Sequence, residues 1–201
     1  MVLAELNIED MLPATFTAPG LSEEQFLALC AKFPDALLEY SEDGTVIVTP
    51  PTDPDSGIRV QYVSQKLGEW AEQNARGAVV GPDTGFFFPN GSRRAPDATW
   101  FDMDRWRAAR QKHPRLRFPT FAPEFVIELR SPGDRLRALR EKMEEYIANG
   151  VQLAWLIDPF ERTVEIYRPN RPPERLENPR TITGEGPVAG FVLNLERVFT
   201  A

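Results

Sequence analysis

The chain has 201 residues and a mass of 22.8 kDa, which is the size of one ordinary domain. Its residues are 42% hydrophobic and 10% aromatic, which is enough for a packed core and excludes disorder throughout. No apolar run approaches the roughly 20 residues of a membrane span, and the acidic N-terminus is not typical of a secretory signal. A single cysteine excludes an internal disulfide and fits a reducing compartment, so we expect a cytoplasmic protein.

The net charge of −7 is unevenly distributed along the chain. Residues 93–140 contain 12 Lys and Arg against 6 Asp and Glu, so this part is basic and the rest is strongly acidic. Salt screens charges that lie more than about 10 Å apart. A basic region of an acidic protein can therefore still bind an anion.

Apolar periodicity and turn residues predict a mixed α/β domain over residues 21–201, preceded by an arm over residues 1–20. Ser22 followed by Gln25 is typical of a capping box, which marks the start of the first helix. The segment 170–187 is rich in Pro, Arg and Glu and is predicted to be irregular. The predicted helices span 22–32, 58–74 and 135–149. The predicted strands span 36–40, 45–49, 78–81, 85–88, 98–102, 125–130, 153–157 and 163–168.

Two carboxylates lie at the ends of predicted strands. Side chains alternate along a strand, so Glu128 shares a face with Val126, in a semi-buried place that is costly for an unpaired carboxylate. Asp97 lies at the mouth of the strand over 98–102. The two could hold a hard divalent cation, because Mg²⁺ takes one or two carboxylates and keeps several waters. Alternatively, Asp97 caps a turn and Glu128 forms a structural ion pair.

Lys142 is the only lysine of the predicted helix over 135–149, in which every other cation is arginine. At about 100° per residue it lies beside Tyr146, on the border of the apolar stripe. It can therefore bury its stem and bring its ammonium to a nearby strand end, where it could orient a water or stabilise charge on a phosphoryl oxygen. The alternative is an ordinary surface cation.

Several short motifs follow one another in a fixed order along the chain. They are Pro96-Asp97, Glu128-Leu129-Arg130-Ser131-Pro132, Lys142 with Tyr146, Gly150-Val151, and Trp155-Leu156-Ile157-Asp158-Pro159. This order resembles the Uma-type family of small bacterial restriction endonucleases, within the PD-(D/E)XK nuclease superfamily. The resemblance covers about residues 26–199. It implies a restriction-endonuclease-like core, a mixed β-sheet flanked by helices, with a phosphodiesterase site that depends on Mg²⁺ or Mn²⁺.

The resemblance also implies roles for individual residues. Asp97 and Glu128 match the two acidic positions that hold the metal, with the Leu129 carbonyl as a further ligand. Lys142 matches the helix lysine that positions the attacking water, and Glu39 matches an acid that orients a metal-bound water or a second cation. We therefore expect a metal-dependent DNA endonuclease. The alternative is an inactive nuclease-fold protein that binds nucleic acid or a protein partner.

The chain departs from the family pattern at three places. Arg130 stands at the classical lysine position, two residues after the glutamate, and arginine keeps the charge but does not readily give up a proton. Two residues apart on a strand, Arg130 and Glu128 are expected to share a face. Ala138 stands where many members have an aspartate, and residues 56–58 lack a histidine that many members carry.

The segment 105–117 carries six cations and no acid, and contains Trp106. Cations interleaved with an aromatic side chain suit a phosphate backbone. We expect this segment to border the acidic site, the alternative being a solvated helix and loop. The residues expected to bind nucleic acid are Arg105, Arg107, Arg110, Lys112 and Arg130.

Cleavage of a duplex needs two cuts, and a two-fold homodimer is the simplest way to present two sites. Two apolar segments could furnish the contact between subunits. One is the run Phe86-Phe87-Phe88, which we expect either inside a sheet or at such a contact, and the other is residues 191–199.

Overall fold

The computed structural model of the chain describes residues 14–49, 51–74 and 77–200. Residues 1–13 of the expected arm lie outside the described residues, whereas residues 14–17 form a strand. The described helices are α1 (Glu23–Lys32), α2 (Pro54–Asn74), α3 (Met103–Lys112), α4 (Leu136–Ala148) and α5 (Glu196–Thr200). The described strands are β1 (Ala14–Thr17), β2 (Leu37–Tyr40), β3 (Thr45–Thr49), β4 (Gly77–Val80), β5 (Phe86–Phe87), β6 (Arg93–Arg94), β7 (Ala98–Asp102), β8 (Phe125–Leu129), β9 (Leu153–Asp158), β10 (Thr163–Tyr167), β11 (Glu174–Glu177), β12 (Thr181–Thr183) and β13 (Val192–Asn194).

These strands form a central sheet and two smaller sheets. The central sheet has six strands in the order β11-β10-β9-β8-β7-β4, and it is mixed because β8 and β9 are parallel while the other neighbouring pairs are antiparallel. Helix α4 is the crossover between the two parallel strands, as such a connection requires. A five-stranded antiparallel sheet has the order β1-β3-β2-β6-β5, and β12 pairs with β13. The predicted α/β class, with a mixed sheet flanked by helices, is confirmed.

The central sheet buries an apolar cluster on each face. On β8, Phe125, Ile127 and Leu129 pack in the cluster that includes residues of α2, whereas Val126 packs in the cluster that includes residues of α4. This is the alternation that the sequence predicts for a strand. Glu128 is on the same side as Val126 and therefore faces α4.

Two helix starts show how local sequence sets the elements. The predicted capping box is present, because Gln25 N donates to Ser22 Oγ and Ser22 N donates to Gln25 Oε1. Helix α2 begins at Pro54, four residues earlier than predicted. Asp53 accepts from Ser56 N through its side chain and from Gly57 N through its carbonyl, so it caps the helix with proline in the first position.

The prediction that residues 170–187 are irregular is wrong in part. Strand β11 pairs with β10 at the edge of the central sheet, and β12 pairs with β13. Charged, exposed side chains dominate β11, as is common on edge strands that must resist further pairing. With so many charged residues, the sequence of β11 lacks the alternation of apolar and polar residues that predicts a half-buried strand.

Most phenylalanines of the two apolar segments that could form a subunit contact, residues 86–88 and 191–199, are packed in the core of the fold. Phe86 and Phe88 are buried, Phe87 packs against the cluster around β2 and β3, and Phe191 and Phe199 belong to the core beside α2. The run 86–88 therefore takes the first of its two expected places, inside the fold. None of the described helices is long and apolar enough to cross a membrane.

Candidate active site

Strand pairing brings Asp97 and Glu128 to the same end of two neighbouring strands. β7 and β8 are antiparallel, and Ala98 lies opposite Ile127. Asp97 directly precedes β7, so the start of that strand meets the end of β8. Asp97 Oδ2 accepts a hydrogen bond of 2.7 Å from Leu129 N, which fixes the aspartate beside the strand end.

Helix α4 supplies two partners for Glu128. Tyr146 Oη donates to Glu128 Oε1 at 2.6 Å, and Lys142 Nζ lies 2.9 Å from the same oxygen. Lys142 and Tyr146 are four residues apart and therefore neighbours on one side of the helix. The glutamate is buried, so these partners offset the cost of burying its charge.

Glu39 joins the same group from the smaller antiparallel sheet. Its Oε1 lies 3.0 Å from Lys142 Nζ and accepts a hydrogen bond of 2.9 Å from Ala95 N, and its Oε2 lies 3.9 Å from Arg94 Nη1. The Lys142 ammonium is thus shared by two buried carboxylates, Glu39 and Glu128. Together with Asp97, these three residues form what we call the carboxylate–lysine cluster.

The pKa values of the cluster reflect its crowding. Burial, followed by the charge of Glu128, raises the pKa of Asp97 to about 8. Burial also raises the pKa of Glu128, although Lys142 opposes the shift. Burial disfavours the charged form of Lys142, but Glu128 and Glu39 outweigh it and raise its pKa above the ordinary value. For Glu39, Lys142 and Arg94 outweigh burial and lower the pKa.

The donor atoms of the cluster fit a hard divalent cation. Asp97 Oδ1 and Glu128 Oε2 have no hydrogen-bond donor among the described residues, so each side chain retains one free oxygen. Burial and the neighbouring Glu128 both disfavour the charged form of Asp97 and raise its pKa, and a bound cation would oppose this shift. No group of three or more His, Cys, Asp or Glu in the described ranges is arranged to hold a metal. Two carboxylates are nevertheless sufficient for Mg²⁺, which usually keeps several waters.

The cluster lies in a cleft of about 2240 Å³. Residues of α1, α2, α4, β2, β3 and the loop 131–135 line this cleft, together with all four members of the cluster and Leu129. The carboxylates therefore form part of the wall of the cleft, although Glu128 and Glu39 are largely buried there.

Arg130 takes a different place from the one expected. Strand β8 ends at Leu129, although Arg130 N still donates a hydrogen bond of 2.9 Å to Ile157 O of β9. The Arg130 guanidinium instead pairs with Asp158, with 2.8 Å between Nη1 and Oδ2, and lies 5.6 Å from the centre of the Phe160 ring. Lys142 is thus the cation in contact with Glu128.

The basic segment 105–117 borders the cleft through only one of its six cations, Arg117, and the structure describes the whole segment. Helix α3 follows the far end of β7, and five residues of strand separate it from Asp97 by about 16 Å. Its arginines have local partners: Arg105 pairs with Glu124, and Arg107 with Asp104. Arg105, Arg107, Arg110 and Lys112 lie outside the cleft lining.

The sequence offers Arg94 only as one of three possible ion-pair partners of Glu128, with Arg130 and Lys142, and does not predict the contacts that it makes in the site. The buried Arg94 guanidinium contacts Glu39 and Glu145 and donates to Ser41 Oγ at 2.9 Å. It therefore links β2 to α4 behind the cluster. Arg94 lies only three residues before Asp97 in the sequence, which could have suggested a place near the site. However, β6 has only two residues, so no periodicity indicates that the Arg94 side chain is buried.

Comparison with known proteins gives the family of the chain. The sequence model of the Uma2 family, described as "Putative restriction endonuclease", matches residues 23–196, and the chain belongs to this family. The fold is similar to the crystal structure at 1.96 Å resolution of a "putative nuclease belonging to DUF820" from Anabaena variabilis ATCC 29413. The TM-score is 0.72, with 22% identity over 88% of this chain and 96% of that chain, a likeness that shows the fold. No curated protein matches the chain.

Proposed function

We propose that the protein is a metal-dependent DNA endonuclease that hydrolyses phosphodiester bonds in the cleft. The observation that carries this proposal is the Lys142 ammonium held between Glu128 and Glu39, beside an Asp97 carboxylate with a free oxygen. Membership of the Uma2 family supports a nuclease.

Each member of the cluster has a distinct part in this proposal. Asp97, Glu128 and the Leu129 carbonyl would hold Mg²⁺ or Mn²⁺, which offsets charge on the scissile phosphate and lowers the pKa of a bound water. Lys142 donates a hydrogen bond that orients the attacking water and stabilises charge developing on a phosphoryl oxygen. Glu39 keeps Lys142 protonated and aimed at Glu128.

The cations of α3 are proposed to bind nucleic acid outside the cleft. Arg107 is exposed, and Arg110 lies 5.6 Å from the centre of the Trp106 ring. These two arginines form the basic face of α3, whose contacts to phosphates would add affinity without reading sequence. Arg105 and Lys112, on the opposite side of the helix, are proposed to add further phosphate contacts. To Arg130, which Asp158 engages, we assign a structural role instead.

A homodimer remains our proposal for cutting both strands of a duplex, since one cluster cuts one strand. Its interface would lie outside the buried residues of 86–88 and 191–199. Sedimentation at micromolar concentration tests this point, and a single species of 22.8 kDa would exclude the dimer.

One experiment separates the nuclease from an inactive nuclease-fold protein. End-labelled DNA is incubated with the protein and Mn²⁺, and the products are resolved on native and denaturing gels. A nuclease yields shorter labelled fragments that disappear when EDTA is added. Retarded but intact DNA would instead identify an inactive protein that binds DNA. DNA that is neither cut nor retarded would contradict the nuclease and leave an inactive protein that binds a protein partner.

A further inference from the structure

Two phenylalanine rings are stacked in the lining of the cleft. The centres of Phe87 and Phe118 are 5.0 Å apart, and their planes are inclined by 11°. Both side chains are only partly buried, and both line the same cleft as the carboxylate–lysine cluster. We call this pair the aromatic stack.

The aromatic stack is held in place by the backbone and by packing. Phe87 N donates a hydrogen bond of 2.8 Å to Pro119 O, which ties β5 to the segment that carries Phe118. The buried Arg93 guanidinium lies 5.0 Å from the centre of the Phe87 ring, and the Phe26 ring meets that ring edge-on at 6.2 Å. The ring of Phe118 is therefore backed by a fixed surface.

A cation lies beside the aromatic stack. Arg117 is exposed, and its guanidinium lies 5.8 Å from the centre of the Phe118 ring. An aromatic face beside an arginine is the combination that binds single-stranded nucleic acid, because every base has a π-face and each nucleotide carries a phosphate.

The charge of the cleft favours one strand over two. Eleven acidic and five basic side chains line it, so its lining is net negative. A duplex carries one phosphate charge per about 1.7 Å of axis, twice that of a single strand. Attraction from base stacking, which does not depend on charge, would offset part of the repulsion on a single strand but is unavailable to paired bases inside a duplex.

We propose that Phe118, backed by Phe87, stacks on an unpaired nucleobase of a nucleic-acid strand whose backbone enters the cleft. This inference rests on the proposed nuclease function and narrows its substrate class to single strands, overhangs or locally opened duplexes. The ligand is an unpaired base on a phosphodiester strand, which either DNA or RNA can provide.

Binding of labelled 12-nucleotide oligonucleotides tests the proposal by fluorescence anisotropy in Ca²⁺, with gels to confirm that they stay intact. The set contains single-stranded DNA, single-stranded RNA, the DNA duplex and an abasic strand that has the same phosphates but no bases. The wild-type protein should bind the better base-bearing single strand about tenfold more tightly than the abasic strand. The DNA and RNA arms show which source is preferred.

Three variants show which ring is responsible. The ratio of interest is the affinity for the base-bearing single strand divided by the affinity for the abasic strand. Phe118→Leu removes the flat ring and should reduce this affinity ratio to near one, whereas Phe118→Trp should keep it. Phe121→Leu is the matched control, because Phe121 lies in the same loop but outside the cleft lining. A melting curve for each variant confirms that it is folded.

The outcomes distinguish this proposal from the nuclease activity itself. Equal affinity for base-bearing and abasic strands, or tighter binding of the duplex than of single strands, would overturn the stacking proposal. So would loss of this affinity ratio in Phe121→Leu but not in Phe118→Leu. A ratio that depends on Phe118 without any cleavage in Mn²⁺ would support stacking and count against the nuclease. Cleavage in Mn²⁺ by a protein that binds base-bearing and abasic strands equally would support the nuclease and count against stacking.

Discussion

Lys142 Nζ lies 2.9 Å from Glu128 Oε1, across the junction between helix α4 and strand β8. Glu39, from β2 of the five-stranded antiparallel sheet, lies 3.0 Å from the same ammonium. The side chain of Lys142 is 13% exposed, and those of Glu128 and Glu39 are 5% and 7% exposed, so solvent screens these contacts little. One buried cation therefore pairs with two carboxylates and joins the central sheet to the five-stranded sheet at the candidate site.

Replacing Lys142 should affect both activity and stability. Lys142→Met keeps the apolar stem but leaves two buried carboxylates without their shared cation, so we expect the free energy of unfolding at pH 7 to fall by about 3 kcal/mol. Cleavage in Mn²⁺ should fall by at least about 100-fold. Urea titration and a gel assay measure the two effects. Lys66→Met, which removes an exposed lysine paired with Glu69, is the control. Full activity in Lys142→Met would contradict the assigned role.

Tyr146 should position Glu128 through its hydroxyl. Tyr146→Phe keeps the buried ring but removes the donor to Glu128 Oε1, so we expect a loss of about 1–2 kcal/mol in stability. Activity or metal affinity should fall by about 10- to 100-fold. Tyr167→Phe is a matched control, because it removes a buried hydroxyl that donates to Glu165, which lies outside the cleft lining. Equal losses of activity in the two variants would show that Tyr146 acts only through stability.

Asp97 should make the metal-free protein less stable as pH rises. Its pKa is about 8 in the folded protein, above the ordinary 3.8, so the folded state binds more protons between these values. The stabilisation from protonated Asp97 is complete below about pH 4 and is lost as pH rises through about 8.

Denaturation in EDTA at several pH values measures this effect. The free energy of unfolding of the wild type minus that of Asp97→Asn should decline from pH 4 to pH 8. At pH 8.5, Asp97→Asn should be the more stable protein. Asp104→Asn, at an exposed position, should follow the wild type. Parallel curves for wild type and Asp97→Asn would contradict the raised pKa.

The basic face of α3 should contribute to affinity through phosphates alone. The double variant Arg107→Gln with Arg110→Gln should weaken DNA binding and reduce the slope of log K against log salt by about 1–2. Arg137→Gln, which changes an exposed arginine of α4, should leave the slope unchanged. An unaltered slope in the double variant would show that this face is only solvated surface.

Much of the site could be predicted because its residues obey local rules. Glu128 was placed opposite the main apolar face by strand alternation, and Lys142 was placed beside Tyr146 by helical spacing; both placements agree with the observed contacts. Glu39 came only from the family resemblance, because its contact with Lys142 joins segments about 100 residues apart in the sequence. No periodicity reports such a pairing.

Other features depended on where elements end, which local patterns define poorly. Arg130 is expected beside Glu128, but its guanidinium pairs with Asp158, the last residue of β9. Residues 105–117 are close to Asp97 in sequence, yet the length of β7 places α3 at the opposite end of the strand.

The most direct test of the nuclease is a plasmid-nicking assay with purified protein, in Mn²⁺ and in EDTA. The wild type should convert supercoiled DNA to the open circle only in Mn²⁺, and Asp97→Asn should lose this activity while remaining folded. Asp83→Asn, which changes an exposed acid elsewhere in the cleft lining, should nick like the wild type. Nicking that persists in Asp97→Asn at the wild-type rate, or a folded wild type that cuts neither the plasmid nor single-stranded DNA in Mn²⁺, would contradict the assignment of the carboxylate–lysine cluster as the active site.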